Sequence, residues 1–141
     1  MGQQKAYEII RLVRRLFRAM GARTNEYLKD WDLAAADRAV MEFLYPDAML
    51  SVPEIAGRYK VSRQHVQVTV NKLLERGLLR GEENPRHKRS SLIRLSGRGR
   101  ACFAEIRQTE ATLLNQLFAD IGDADLDTTQ RTLRSLSEKL S

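Results

Sequence analysis

The chain has 141 residues, 43% of them hydrophobic, which suits one compact domain or two small coupled ones, and no stretch approaches the roughly 20 apolar residues of a membrane span. Its single cysteine, Cys102, excludes an intrachain disulfide. With only two histidines beside it a four-ligand structural zinc site is not expected, so no metal and no cofactor are expected. The formal net charge is +6, and the segment from Arg76 to Arg100, with eight basic and two acidic residues, carries that much by itself, which points to a polyanion such as nucleic acid or else to a solvated basic loop.

Residues 6 to 29 read as a helix, because Ile9, Val13, Leu16 and Met20 recur at helical spacing while Arg11, Arg14, Arg15 and Arg18 fall on another face. Tyr27, Leu28 and Trp31 close the segment. Residues 34 to 45 form a second helix with Ala39, Val40, Phe43 and Leu44 on its inner side, ended by Pro46-Asp47. In SVPEIAGRY, Ser51 and Glu54 have the spacing of a capping box, and a short helix stops near Tyr59. Val61-Ser62 follows almost at once, with Ser62 placed to cap the next helix, VSRQHVQVTVNKLLER, which Gly77 terminates. On that helix Val66, Val70, Leu73 and Leu74 share one arc, and Gln67 lies toward this core side. The opposite face carries Gln64, Val68, Asn71, Lys72 and Glu75, with His65 at its edge.

Two helices joined by so short a turn read as a helix-turn-helix. Leu79-Arg80 and residues 92 to 95 can pair around the Asn84-Pro85 turn, which adds a wing. Ser96 caps a long helix from about 97 to 119, bearing Phe103, Ile106, Leu113, Leu114 and Leu117. After DIGDAD, Asp127 with Gln130 opens a last helix bearing Leu133, Leu136 and Leu140. The expected fold is mainly α with a small β-hairpin wing. A winged helix-turn-helix spans 33–96, flanked by an N-terminal helix in 1–32 and C-terminal helices in 97–141. The apolar stripes of both chain ends are expected to build a helical dimerisation region with a second copy; the alternative is a monomer whose end helices fold back on their own core.

The order of parts and several residues resemble the MarR family of bacterial transcriptional regulators. The resemblance rests on Glu54-Ile55-Ala56, Val61-Ser62, Leu74-Glu75 (one place off the usual phase, Leu73 being the aligned leucine), Gly77-Leu78-Leu79, Leu95-Ser96 and Gly99, and covers roughly 33 to 100. It implies a homodimeric repressor that binds double-stranded DNA at a near-palindromic operator. Recognition helix 62–76 would enter the major groove and wing 80–95 the flanking minor groove. Release by a small aromatic ligand or by cysteine oxidation is also implied. Two departures stand out: His87-Lys88-Arg89 occupies the place of the family's Asp-x-Arg, and Val68 stands where a polar or basic residue is common.

This reading gives the polar helix face a use. Amide side chains bond adenine edges, and an exposed Val sits on a thymine methyl. Gln64, His65 and Val68 are therefore the expected base readers, with Gln67 a lesser candidate. Ser62, Arg63, Lys72, Arg86, His87, Lys88 and Arg94 are expected on the DNA backbone, and Arg89 in the minor groove, where a narrow A/T-rich stretch concentrates negative potential. Tyr27, Trp31 and Phe43 are the candidate lining of an effector pocket, against the alternative of plain core aromatics. Cys102 is expected to be a buried, inert thiol, with oxidation sensing as the other reading. The chain carries no phosphate-binding loop or nucleophile elbow, and no catalytic residues are expected. MGQQKAYEII lacks the apolar core of a signal peptide and has Ala6 where a myristoylation signal wants Ser or Thr, so a cytoplasmic location is expected. A winged-helix protein-interaction module and a non-specific architectural DNA-binding protein remain the competing functions.

Overall fold

The structure, a computed structural model, describes residues 2–141. In chain order it contains α1 (Gly2–Leu28), a 3-10 turn (Lys29–Trp31), α2 (Ala35–Leu44), β1 (Leu50–Ser51), α3 (Val52–Tyr59), α4 (Arg63–Glu75), β2 (Leu79–Glu82), β3 (Leu92–Leu95), α5 (Gly97–Phe118) and α6 (Asp123–Leu140). It packs as two units, one up to Ile106 and one from Arg107 onward.

The first unit is a winged helix-turn-helix. Ser51 caps α3 as its spacing predicts: its hydroxyl accepts the Glu54 N–H at 3.3 Å, and the Glu54 carboxylate accepts the Ser51 N–H at 3.1 Å. Lys60 ends α3 in the left-handed conformation (φ 60°), and Ser62 starts α4 by accepting the His65 N–H at 3.0 Å. Three residues thus complete the turn between the two helices. Gly77 stops α4 at φ 73°, a conformation that costs a side-chain-bearing residue strain, and the Leu78 N–H closes the end on the Leu73 carbonyl.

The wing strands β2 and β3 pair antiparallel, with Arg80 opposite Arg94 and Gly81 opposite Ile93. A third strand was not expected. Leu50–Ser51 pairs with the outer side of β3, giving the sheet order β1-β3-β2. Val66, Val70 and Leu73 of α4 are fully buried with Val40, Met41, Leu44, Ile55, Ile93 and Leu95. Removing each such side chain from water stabilises the fold by about 1.5–3 kcal/mol. Leu28, Phe103 and Ile106 are buried in the same core, so the end of α1 and the first turns of α5 pack with residues 33–96.

From Gly2 to Ala19, α1 is exposed, including Tyr7, Leu12, Leu16 and Phe17. The second unit is a helical hairpin made of the last turns of α5 and α6, with Leu114, Leu117, Phe118 and Leu133 exposed. The last helix begins at Asp123, not at Asp127. Gly122 takes the extended N-cap position, and Asp123 and Asp125 occupy the first turn, where carboxylates meet the positive end of the helix dipole. No helix among the described residues is long and apolar enough to cross a membrane.

Candidate nucleic-acid interface

The outer face of α4 is built by its cap and its buried stripe. With Val66, Thr69, Val70 and Leu73 turned inward, Arg63, Gln64, His65, Gln67, Val68 and Asn71 face solvent. Val68 is 64% exposed, a methyl pair held in water between polar neighbours. Gln67 differs from expectation: it is exposed, and the buried arc extends instead toward the opposite edge, to Thr69, whose hydroxyl donates to the His65 carbonyl at 3.3 Å. The Gln67 amide donates to Asn71 Oδ1 at 2.8 Å, which orients both amides along the face. An amide pair at i and i+4 was the signal in the sequence for this arrangement.

A groove of about 490 Å³ separates this face from the wing. Arg63, Gln64 and Gln67 line one side, Arg89, Ser90 and Ser91 the other, and Val52 and Pro53 the floor beside them. The wing tip is folded by Asn84: its Oδ1 accepts the Arg86 N–H at 3.0 Å, and its carbonyl accepts the His87 N–H at 3.1 Å. His87 therefore joins the turn through its backbone, while its imidazole stays exposed with Arg86, Lys88 and Arg89. Among the described residues none of Arg63, Arg86, Lys88 and Arg89 is held in an ion pair, so this end of the molecule presents uncompensated positive charge.

Two residues expected on the DNA backbone have partners within the chain. Lys72 Nζ lies 2.8 Å from Oδ2 of Asp37, whose carboxylate is almost wholly buried. Arg94 is mostly covered; it sits 3.3 Å from Glu82 and 3.9 Å from Asp47, and Asp47 also binds Arg100 at 2.9 Å. Glu82 on the neighbouring strand also pairs with Arg80 at 3.3 Å, so Arg80, Arg94 and Arg100 share the two carboxylates of Glu82 and Asp47.

The three candidate effector-pocket aromatics are half-buried against the core, each with its own neighbour. Trp31 Nε1 donates to Glu105 at 3.0 Å, the Phe43 ring meets Tyr59 at a 53° tilt with centroids 5.9 Å apart, and the Tyr27 hydroxyl faces Thr24 at 3.5 Å. Cys102 is half-buried, and burial, helped by Glu105, pushes its thiol pKa up against the opposing pull of Arg76 and Arg98.

Residues 32–90 match the family model described as MarR family. An uncharacterized protein of Mycobacterium tuberculosis is 30% identical over 130 residues, covering 92% of this chain and 85% of its own. An uncharacterized HTH-type transcriptional regulator of Bacillus subtilis, YkoM, is 23% identical, over 88% of this chain and 80% of its own length. Among solved structures, a MarR family transcription regulator superposes with a TM-score of 0.90 at 21% identity, over 99% of this chain and 92% of that one. A mutant MarR from E. coli complexed with operator DNA superposes with a TM-score of 0.80 at 21% identity, over 94% and 95%. The winged fold and these matches agree with the motifs around α3 and α4: the chain belongs to the MarR family of transcription regulators and is not an enzyme.

Proposed function

We propose that this chain is a homodimeric, sequence-specific DNA-binding repressor that reads a near-palindromic operator with α4 and the wing. One observation carries the reading: Arg63, Gln64 and Gln67, on the same solvent-exposed surface of α4 as Val68 and His65, line a groove whose far wall bears Arg89, beside the unpaired Arg86 and Lys88. Amides and a methyl pair match adenine and thymine edges in the major groove, and Arg89 reaches for the adjacent minor groove. Ser62 and Arg63, at the positive end of α4, stand where phosphates bind. A mutant MarR from E. coli with the same fold is complexed with operator DNA, which supports DNA as the partner.

The exposed apolar residues of α1, and separately those of the C-terminal hairpin, support a second copy as partner, because exposed apolar surface on a helix face marks an interface. A two-fold dimer would set its two α4 helices roughly 34 Å apart, one turn of DNA. Relief of repression falls to a small aromatic ligand seated beside Tyr27, Trp31 and Phe43. Fluorescence anisotropy tests the reading, with a duplex from upstream of the chain's own gene against a shuffled duplex near 150 mM salt. A preference of about a thousandfold is expected. Equal, strongly salt-dependent binding to both would indicate an architectural protein, and no binding to either an interaction module.

A further inference from the structure

Lys72 stands in the last turn of α4 and Arg76, four residues on, is its C-cap; both reach away from the groove toward the segment that joins α1 to α2. Lys72 bonds Asp37 Oδ2 at 2.8 Å, and the same oxygen accepts the Ala34 N–H at 2.8 Å, capping α2 in place of the side chain that Ala34 lacks. The Arg76 guanidinium donates to the Trp31 carbonyl at 2.9 Å and to the carbonyl of Asp32, which is in the left-handed conformation (φ 52°). The Asp37 side chain is only 3% exposed, and its buried charge is met by Lys72 and the Ala34 N–H.

We infer that Lys72 and Arg76 are positioning residues for DNA reading: they grip residues 31–37 and so fix the rotation of α4 about its own axis, without touching DNA themselves. The inference rests on the proposed function and deepens it. Apolar burial of Val66, Val70 and Leu73 holds α4 against the core but is non-directional. Hydrogen bonds from the polar flank supply the missing direction. At a side-chain radius of about 5–6 Å, a rotation of about 10° moves a side-chain tip by about 1 Å. A constellation of this kind tolerates about 0.5 Å. Gln64 and Val68 would leave their base edges before the helix left the groove. The Lys72–Asp37 pair has no net charge, so it releases few counterions from DNA.

The test uses the full chain and the two duplexes above, over a salt series, with active fractions from stoichiometric titration. Wild type is compared with Lys72→Met, Lys72→Arg, Arg76→Met and Asp37→Asn. Lys72→Met, Arg76→Met and Asp37→Asn should each cut affinity for the preferred duplex by about tenfold, the loss of one base contact. Binding to the shuffled duplex and its salt dependence should hold, and Lys72→Arg should restore the preference. A phosphate-contacting lysine behaves oppositely. Lys72→Met would then weaken both duplexes and lower the salt slope by about one, while Asp37→Asn, by freeing the lysine charge, would strengthen both. That result overturns the inference, as does a loss explained wholly by active fraction. A wild type with no preference for either duplex refutes the proposed function itself, and the inference with it.

Discussion

Gly99 meets the backbone of Leu78 so closely that a β-carbon on it would lie 1.9 Å from the Leu78 carbonyl oxygen. This contact docks the first turn of α5 onto the strand side of the winged unit. Ser96 secures it, donating to the Gly77 carbonyl at 2.6 Å and accepting the Gly99 N–H at 2.9 Å. Because the clash is with backbone, no side-chain rotation relieves it. Gly99→Ala should destabilise the chain by about 3 kcal/mol and lower the melting temperature by roughly 10 °C. A circular-dichroism melt checks this, and an unchanged midpoint would show that α5 does not start against Leu78.

The capping box makes a pH-dependent contribution. The Glu54 carboxyl is held below its ordinary value of 4.5 first by the Ser51 backbone N–H and then by the Ser51 side chain, against the opposing effect of burial, with lesser help from the charges of Arg58 and Arg86. A depressed folded pKa gives stability that is complete above the unfolded value and disappears as pH falls through the folded one. Glu54→Gln keeps the box's hydrogen-bond acceptor but not its charge. The stability gap between wild type and Glu54→Gln, followed by thermal melts, should therefore be widest at neutral pH and close as the pH drops below 4.5. A gap that is constant with pH would mean that the carboxylate charge is irrelevant to the cap.

For the wing, Arg89→Ala should weaken operator binding by about 1–3 kcal/mol, the scale of one good groove contact. An unchanged affinity in an anisotropy titration removes the wing from the mechanism.

On α4, Gln64→Ala and Gln67→Ala should each lower the ratio of specific to non-specific affinity more than the non-specific affinity itself. Parallel losses on both DNAs would place these amides on phosphates.

The apolar face of α1 should be covered in solution by a second copy. Phe17 is 79% exposed and Leu16 62%. Sedimentation should give a dimer at micromolar concentration, and a Leu16→Glu, Phe17→Glu double variant should sediment as a monomer with its helical content retained. A wild-type monomer would defeat the dimer and the half-site spacing that follows from it.

Cys102 should react slowly. Its raised pKa keeps the thiol protonated at neutral pH, where the thiolate is the reactive form. Labelling by a disulfide reagent should be slower at pH 7 than for a free cysteine and should rise only at higher pH. Fast labelling at pH 7 would revive an oxidation-sensing role.

Local chemistry settled the central unit in advance. The Ser51–Glu54 box, the Ser62 cap and the Gly77 stop each depend on residues within a few positions of one another, so α3, their turn and α4 could be read from the chain alone. The exposed row of Gln64, His65 and Val68 follows from helical period plus one buried stripe, and needs no knowledge of the partner elements. Gln67 was placed too near the core because the wheel cannot say how wide the buried arc is or where it is centred; packing decided that the arc takes in Thr69 on one edge and leaves Gln67 in solvent on the other. β1 is two residues long and has no pattern of its own, so only β3 beside it makes it a strand. The roles of Lys72 and Arg94 were likewise invisible in the sequence. A basic residue on a polar face looks free until the fold brings a distant carboxylate to it, and Asp37, Asp47 and Glu82 arrive only through tertiary packing. Charge pattern along a chain records how much positive charge is present, whereas long-range contacts decide how much of it remains to meet a partner.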